Sequence, residues 1–218
     1  MVKKLNTHSD RFKYSRHDAL VQVLTEAAEA AIARKGYGRV TMRDIATEAG
    51  CVPGTLYLYF KSKRDVVDAI LVKHSAIWRS LIMECTGSAR DPVEKLREIT
   101  QKSVDYFNGN RGFFKAAFAA APVKPDKISA DLPAPVRKDW QTLRKAILEV
   151  IRQAQAQKKI RRDFPAESIW KFMHGLFNGY FDGLNAGETL PDPREQMRML
   201  WGFMSGGIGV REKRHARD

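Results

Sequence analysis

Hydrophobic residues recur at helical spacing through the first part of the chain. From Ser15 to Gly36, leucine, valine, isoleucine and alanine lie three and four residues apart, and Ser15 and Asp18 form a capping pair. This pattern predicts a helix with an apolar stripe on which other helices can pack. Residues 1–14 are polar and basic and show no helical period, so we expect them to form an arm outside the helix.

The next stretch, Thr41 to Phe60, predicts two short helices joined by a tight turn. Thr41 and Asp44 make a capping-box pattern at the start of the first helix, and Gly50 can take the left-handed conformation that ends it. Pro53 suits the first turn of the second helix, because that turn leaves its N–H groups unpaired in any case. A helix of about two turns does not hold together alone in water, so it must dock on the long helix.

The second short helix has two different sides on a helical wheel. Leu56 and Phe60 fall together and can anchor it. The opposite side and its border hold Thr55, Tyr57, Leu58 and Tyr59. This side carries no carboxylate, and Lys61, Lys63 and Arg64 follow directly. The combination is typical of a helix laid in the major groove of DNA, with cations on the flanking phosphates.

These residues resemble the helix-turn-helix of the TetR family of bacterial one-component regulators. The matching segments are Arg34–Tyr37, Thr41–Ala46, Ala49–Gly50, Gly54–Phe60 and Lys61–Lys63. The resemblance covers about residues 15 to 75. It implies an all-α protein of about nine helices, with a three-helix DNA-binding head and basic arm over residues 1–62 and a ligand-binding and dimerisation domain over residues 63–218. Val52 departs from the family, which usually has a polar cap there, so we expect a reading helix weakened by about 1 kcal/mol without DNA.

The resemblance assigns roles in the head. Pro53 and Gly54 start the reading helix, and Thr55, Tyr57 and Tyr59 are expected to make polar contacts with bases. Leu58 can meet a thymine methyl group, and Arg43 is the candidate for a guanine edge. Thr41 and Lys63 are expected to grip phosphates. The basic residues of the arm, Lys3, Lys4, Arg11 and Lys13, either reach DNA or only aid solubility.

Six further helices are predicted after the head. They cover about Ser62–Leu81, Pro92–Asn110, Phe113–Ala121, Val136–Ile160, Glu167–Leu184 and a last helix after Pro193. Ser62 and Asp65 form the cap of the first, which is too long and apolar to belong to the head alone. We therefore expect it to join the head to the rest of the chain. Residues 122–135 hold four prolines and predict a loop.

The helix predicted over 167–184 is apolar on two opposite sides and must be covered on both. Its repeated glycines each cost about 1 kcal/mol relative to alanine, which close approach of another helix can offset. We interpret the last two helices as a homodimer surface, as the resemblance also implies; the alternative is a helix buried inside one large monomer. The expected interface residues are Phe172, Gly175, Leu176, Gly179, Gly183, Met197, Leu200, Trp201 and Met204.

The charge balance favours a polyanionic partner. The formal net charge is +13, and residues 1–64 hold 12 Lys and Arg against 6 Asp and Glu, so the excess is densest in the head. The two cysteines, Cys51 and Cys85, show no disulfide or metal spacing, and we expect reduced thiols in a cytoplasm. No apolar run reaches the roughly 18 residues of a membrane span, and the start shows no secretory leader.

The sequence shows no motif of catalysis: it has no Gly-rich phosphate loop, nucleophile elbow or His/Cys cluster, so we expect no enzyme, cofactor or metal. The aromatic residues of the C-terminal part predict instead an apolar pocket for a small-molecule effector, with simple core filling as the alternative. Its candidate lining is Phe107, Phe114, Phe118, Trp170, His174 and Phe177. We expect a ligand-responsive regulator of a palindromic operator, a repressor rather than an activator. A nonspecific architectural DNA binder and a ligand-binding or catalytic protein with a degenerate head are the alternatives.

Overall fold

The regular structure of the described chain consists of helices. A computed structural model describes residues 8–112, 114, 132–185, 189 and 191–209, with the backbone alone for 8–16 and 181–185. The helices are α1 (His8–Lys35), α2 (Met42–Glu48), α3 (Pro53–Tyr57), α4 (Lys63–Gly87), α5 (Pro92–Gly109), α6 (Ala134–Ala156), α7 (Ala166–Asn185) and α8 (Pro193–Ile208). The prediction of an all-α fold is confirmed. Within these residues, no helix is both long enough and apolar enough to cross a membrane.

The chain divides into two compact units. The first comprises residues 1–73 and 112–122, and the second comprises residues 74–111 and 123–218. The first unit therefore takes in the beginning of α4 as well as α1, α2 and α3. The functional boundary that the sequence predicts after residue 62 stays a prediction.

A single hydrophobic cluster holds the first unit together. Each of its helices contributes fully buried side chains, so the two short helices are supported by α1 and by the start of α4. The cluster consists of Leu24, Ala28, Ala31, Ile32, Val40, Ile45, Ala46, Leu56, Phe60, Val66, Val67 and Ile70. This burial supplies the tertiary support that helices of five and seven residues require.

In the first unit, two helix boundaries differ from the prediction. Helix α1 begins at His8, so residues 8–14 are helical and Ser15 is not a cap. A polar segment without hydrophobic periodicity can still extend a helix at its N-terminal end. Each added turn supplies carbonyl acceptors for the N–H groups of the turn that follows it. Helix α3 ends at Tyr57 rather than Phe60. The helix predicted over 113–121 lies, apart from Phe114, outside the described residues.

The second unit packs four helices and the end of α4. Helix α5 lies against α6 and α8, while α7 lies against α6 and α8. Their core includes Leu96, Leu148, Ile151, Ile160, Ile169, Met173, Met204 and Ile208. One polar pair crosses this interior: the amides of Asn108 on α5 and Gln196 on α8 each donate to the other, at 3.0 and 3.2 Å. Gln196 is fully buried, so the pair fixes the register of α5 against α8.

Candidate nucleic-acid interface

Thr41 begins α2 through a reciprocal cap with Asp44. The Asp44 N–H donates to Thr41 Oγ1 at 3.2 Å, and the Thr41 N–H donates to Asp44 Oδ2 at 3.0 Å, which confirms the predicted capping box. The ammonium of Lys35 also donates to Asp44, at 2.7 Å. This hydrogen bond, followed by those from Thr41, lowers the pKa of Asp44 to about 2. The carboxylate therefore ties the start of α2 to the end of α1.

A second ion pair holds the other end of α2 on α1. The guanidinium of Arg34 donates to the Glu48 carboxylate, and this hydrogen bond lowers the pKa of Glu48. Helix α2 ends at Glu48, and Gly50 just beyond it has, as predicted, the left-handed conformation that glycine tolerates, with a φ of 65°. The turn at Gly50 therefore connects α2 to α3 with a defined change of chain direction.

Helix α3 shows the two sides that the sequence predicts. Leu56 is fully buried and Phe60 is 5% exposed, whereas Tyr57 is 52% and Leu58 is 82% exposed. Pro53 occupies the first turn, and Val52 stands at the N-cap without a side-chain hydrogen bond. The N–H groups of the first turn therefore lack the usual side-chain acceptor, as the valine at position 52 predicts.

Tyr59 differs from the wheel prediction. It packs against the core of the first unit, and its ring centroid lies 5.1 Å from that of His17 on α1. The wheel assumes 100° per residue through position 60, but α3 ends at Tyr57, so this extrapolation fails beyond Leu58. Thr55 is also only partly exposed. The large side chains of this element that are more than half exposed are therefore those of Tyr57, Leu58 and Val52.

Exposed basic side chains occur on the segments that precede and follow α3 in the chain. Arg43 on α2 is exposed, and its guanidinium forms no salt bridge with the described residues. Arg39 is exposed too and uses its Nε to donate to the Lys35 carbonyl at 3.1 Å. Lys61 is exposed just after α3. The hydroxyl of Thr41 accepts the Asp44 N–H, which leaves its own O–H proton for an outside acceptor.

Lys63 has a role that the sequence does not predict. Its ammonium donates to the carbonyls of Tyr37 at 2.8 Å and Val40 at 3.2 Å, and it lies 4.5 Å from the centroid of the Tyr37 ring. Two of its three ammonium protons are thus used in hydrogen bonds to the loop between α1 and α2. A phosphate contact by Lys63 remains a prediction, and one proton is left for it.

The residues predicted to line an effector pocket do not form one group. Phe107 is buried in the second unit, and Phe114 packs against the core of the first. Trp170 and His174 stack at 5.0 Å with an interplanar angle of 12°, and Trp140, which the prediction omits, meets His174 edge-on at 5.1 Å. Burial lowers the pKa of His174. Phe177 is partly buried, and Phe118 lies outside the described residues.

A cleft with different chemistry opens between α5 and α8. Its volume is about 800 Å³. It is lined by Gln101, Asp105, Asp192, Pro193, Arg194, Glu195 and Arg198. This polar lining shares no residue with the apolar pocket that the sequence predicts.

Of the residues predicted to form the dimer surface, some are exposed and others are buried within the chain. On α7, Phe172 is 63% exposed, and nothing lies within 4 Å of a Cβ built on Gly175 or Gly179, so this face is open in the single chain. This exposure contradicts the alternative of a helix buried inside one monomer. Leu176 is partly buried against the core, and Gly183 lies in the segment with backbone alone.

On α8, three of the four residues predicted for the interface are buried within their own chain, which contradicts the prediction for those three. Met197, Leu200 and Met204 are buried within their own chain, and Trp201 packs partly against its core. The outer side of α8 instead shows Phe203, 72% exposed, and Met199, 45% exposed, with Gly202 and Gly206 beside them. The regular apolar stripe that the sequence shows on α8 is its inner side, because these side chains pack in the core of their own chain.

Comparison with known proteins identifies the head. A sequence profile described as "Bacterial regulatory proteins, tetR family" matches residues 24–70, which include α2 and α3. The chain is 26% identical over 172 residues to the HTH-type transcriptional repressor KstR2 of Mycolicibacterium smegmatis, a match that covers 73% of this chain and 74% of that protein.

Solved structures share the fold. KstR2 of Mycobacterium tuberculosis, described as a ketosteroid transcriptional regulator, aligns with a TM-score of 0.68 at 20% identity, over 88% of this chain and 95% of that chain. SmeT of Stenotrophomonas maltophilia in complex with triclosan aligns with a TM-score of 0.63 at 17% identity, over 88% and 92% of the two chains.

Proposed function

The chain belongs to the TetR family of bacterial transcriptional regulators, and we propose that it represses transcription by binding a palindromic operator as a homodimer. The observation that carries this proposal is the exposed side of α3. A five-residue helix is docked by Leu56 so that Tyr57 and Leu58 are exposed, and Arg43 on α2 and Lys61 after α3 are exposed as well. A short docked helix with no carboxylate on its outer side suits the major groove. The repressor role is taken from KstR2, which carries that name.

The open faces of α7 and α8 support the homodimer. Phe172 and Phe203 are large apolar side chains that are more than half exposed in the single chain. Gly175 and Gly179 on α7 leave room for a close approach by another helix. A two-fold pairing of these faces would bury both phenylalanines and join two heads, as a palindromic operator requires.

Release by a small molecule is the third part of the proposal. SmeT, which shares the fold, has been solved with triclosan bound. In the described part of the second unit, Trp170 stacked on His174, with Trp140 edge-on to His174, forms an aromatic cluster that suits an apolar or amphipathic effector. An effector releases the operator only to the extent that it binds the free form of the dimer more tightly than the DNA-bound form.

Selection of DNA by the full-length protein tests the operator assignment. The purified chain is used to enrich double-stranded DNA from a random library, and the affinity of the selected sequence is measured against scrambled DNA. We expect an inverted repeat whose complex resists random competitor. Arg43→Ala should lower affinity by about 1–3 kcal/mol per base contact and relax the preference at one base pair of each half-site.

Lys145→Ala is the matched control for this measurement, because Lys145 is an exposed cation on α6 in the second unit. It should leave the preference unchanged. If no sequence is enriched and random DNA displaces the protein as well as any selected DNA, the protein is a nonspecific DNA binder and the proposal is wrong. If Arg43→Ala keeps full discrimination, the operator assignment survives, but Arg43 does not read a base.

A further inference from the structure

The polar cleft between α5 and the start of α8 belongs neither to the proposed operator surface nor to the aromatic cluster of the second unit. Its volume is about 800 Å³, and every residue of its lining except Pro193 carries a charge or an amide. Such a lining suits a water-soluble ligand with several hydrogen-bonding groups and offers little to an apolar effector.

Some of the charges in the cleft are already used within the chain. The carboxylate of Glu195 accepts a hydrogen bond from Arg198 Nε at 2.7 Å. Asp192 is the N-cap of α8, and its carboxylate accepts from the N–H groups of Arg194 at 2.9 Å and Glu195 at 3.3 Å. These interactions stabilise the first turn of α8, so these carboxylates are less available to a ligand.

Two opposite charges in the cleft have no ionic partner among the described residues. Asp105 on α5 is exposed, and its carboxylate accepts only from the Gln101 amide, at 2.9 Å. Arg194 on α8 is exposed, and its guanidinium forms no ion pair within the same residues. The carbonyl oxygen of Gln101 also stays available, because the hydrogen bond to Asp105 uses the amide nitrogen. The cleft therefore offers acceptors for a cation on α5 and donors for an anion on α8.

A buried amide pair fixes α5 against α8 next to this cleft. Asn108, one turn after Asp105, exchanges hydrogen bonds with Gln196 at 3.0 and 3.2 Å. Gln196 is fully buried and also donates to the Pro191 carbonyl at 2.7 Å. A buried network with these partners favours one register of the two helices. The backbone positions of the cleft are therefore set before a ligand binds, which lowers the cost of binding.

A ligand with a single charge would pair with only one of the two available ions, whereas a zwitterion pairs with both. We propose that this cleft binds a small zwitterion of the α-amino acid class. The ammonium group of the ligand contacts the Asp105 carboxylate and the Gln101 carbonyl oxygen, and its carboxylate accepts from the Arg194 guanidinium. The guanidinium presents parallel N–H donors that match a carboxylate, and an ammonium has three protons for two acceptors.

Isothermal titration calorimetry of the full-length protein with each of the common L-amino acids in turn tests this inference. Exposed ion pairs contribute only a few-fold each to affinity, so we expect at least one amino acid to bind with a Kd of about 1 mM or lower. Acetate and methylammonium each carry one of the two charges and should bind at least about tenfold more weakly. Asp105→Asn and Arg194→Gln should each weaken binding about threefold to tenfold.

Glu84→Gln and Arg162→Gln are the matched controls, because each removes an exposed charge outside the cleft, and they should leave binding unchanged. Circular dichroism should show both cleft variants to be folded, since the two side chains are exposed. The inference is wrong if no amino acid binds with a Kd below about 10 mM. It is also wrong if binding survives both cleft substitutions, or if acetate or methylammonium binds as tightly as the amino acid. No DNA is present, so the outcome is independent of the proposed operator function.

Discussion

Lys63 provides a test that separates a structural role from DNA binding at a single side chain. Lys63→Met keeps most of the aliphatic stem and removes the ammonium, which donates to two loop carbonyls and lies over the Tyr37 ring. Hydrogen bonds from a charged donor contribute about 1.5–3 kcal/mol each when well buried. Because this site is only partly buried, we expect a total loss of about 2 kcal/mol in the free energy of unfolding.

The assay combines stability and salt dependence. In a chain of this size, 2 kcal/mol corresponds to a fall in Tm of roughly 4–8 °C. Contact with a phosphate would instead appear in DNA binding, where removal of one cation lowers the slope of log affinity against log salt by about 1. We expect Lys63→Met to lower Tm, and the salt slope measures separately the phosphate contact that the sequence predicts.

Lys61→Met is the matched control, because Lys61 is exposed and its side chain has no hydrogen bond within the described residues. It should leave Tm unchanged and lower the salt slope if it lies near a phosphate. A Lys63→Met protein with an unchanged Tm and a reduced salt slope would refute the loop-stabilising role. It would leave the phosphate contact that the sequence predicts as the role of Lys63.

Three further predictions concern the dimer, pH and the link between α4 and α6. Phe203→Glu should weaken dimerisation roughly a hundredfold or more, since a symmetric interface loses two buried phenylalanines; sedimentation at micromolar concentration should show monomers, whereas Val23→Glu on α1 should remain dimeric. Since the pKa of Asp44 is lowered to about 2, its ionised form should stabilise the head above the ordinary aspartate range, and this contribution should be lost as the pH falls from about 4 to 2. Denaturation curves of Asp44→Asn and the unaltered chain should therefore differ at pH 7 and converge near pH 2. Asp139→Asn should destabilise the second unit by about 1–3 kcal/mol, because Asp139 accepts hydrogen bonds from Ser75 and Arg79 on α4; an unchanged unfolding midpoint would contradict this.

The sequence predicts the head in detail because local rules decide its structure. The cap at Thr41, the left-handed glycine at position 50 and the proline at position 53 each depend on a few neighbouring residues. Leu56 and Phe60 are buried for the same reason, since the spacing of apolar residues is read directly from the chain. The helical-wheel prediction fails beyond the end of α3, where it places Tyr59 on the exposed side although Tyr59 packs against the core.

Lys63 shows a second kind of limit. A lysine at the start of a helix next to a DNA-reading segment has the same local sequence whether its ammonium meets a phosphate or a carbonyl of its own chain. The carbonyls that it binds belong to Tyr37 and Val40, more than twenty residues earlier. Only the tertiary packing of the loop against the start of α4 decides between the two partners.

The error on α8 follows from a more general ambiguity. A helix that contributes to its own core and also to a partner needs two apolar sides, and periodicity alone does not say which side is which. Met197, Leu200 and Met204 form the more regular stripe, and the chain's own core uses it. The outer side is marked by Phe203 and by Gly202 and Gly206, where a built Cβ meets no atom of the described residues within 4 Å. An apolar side chain that is exposed beside small residues is therefore the better signal for a partner surface.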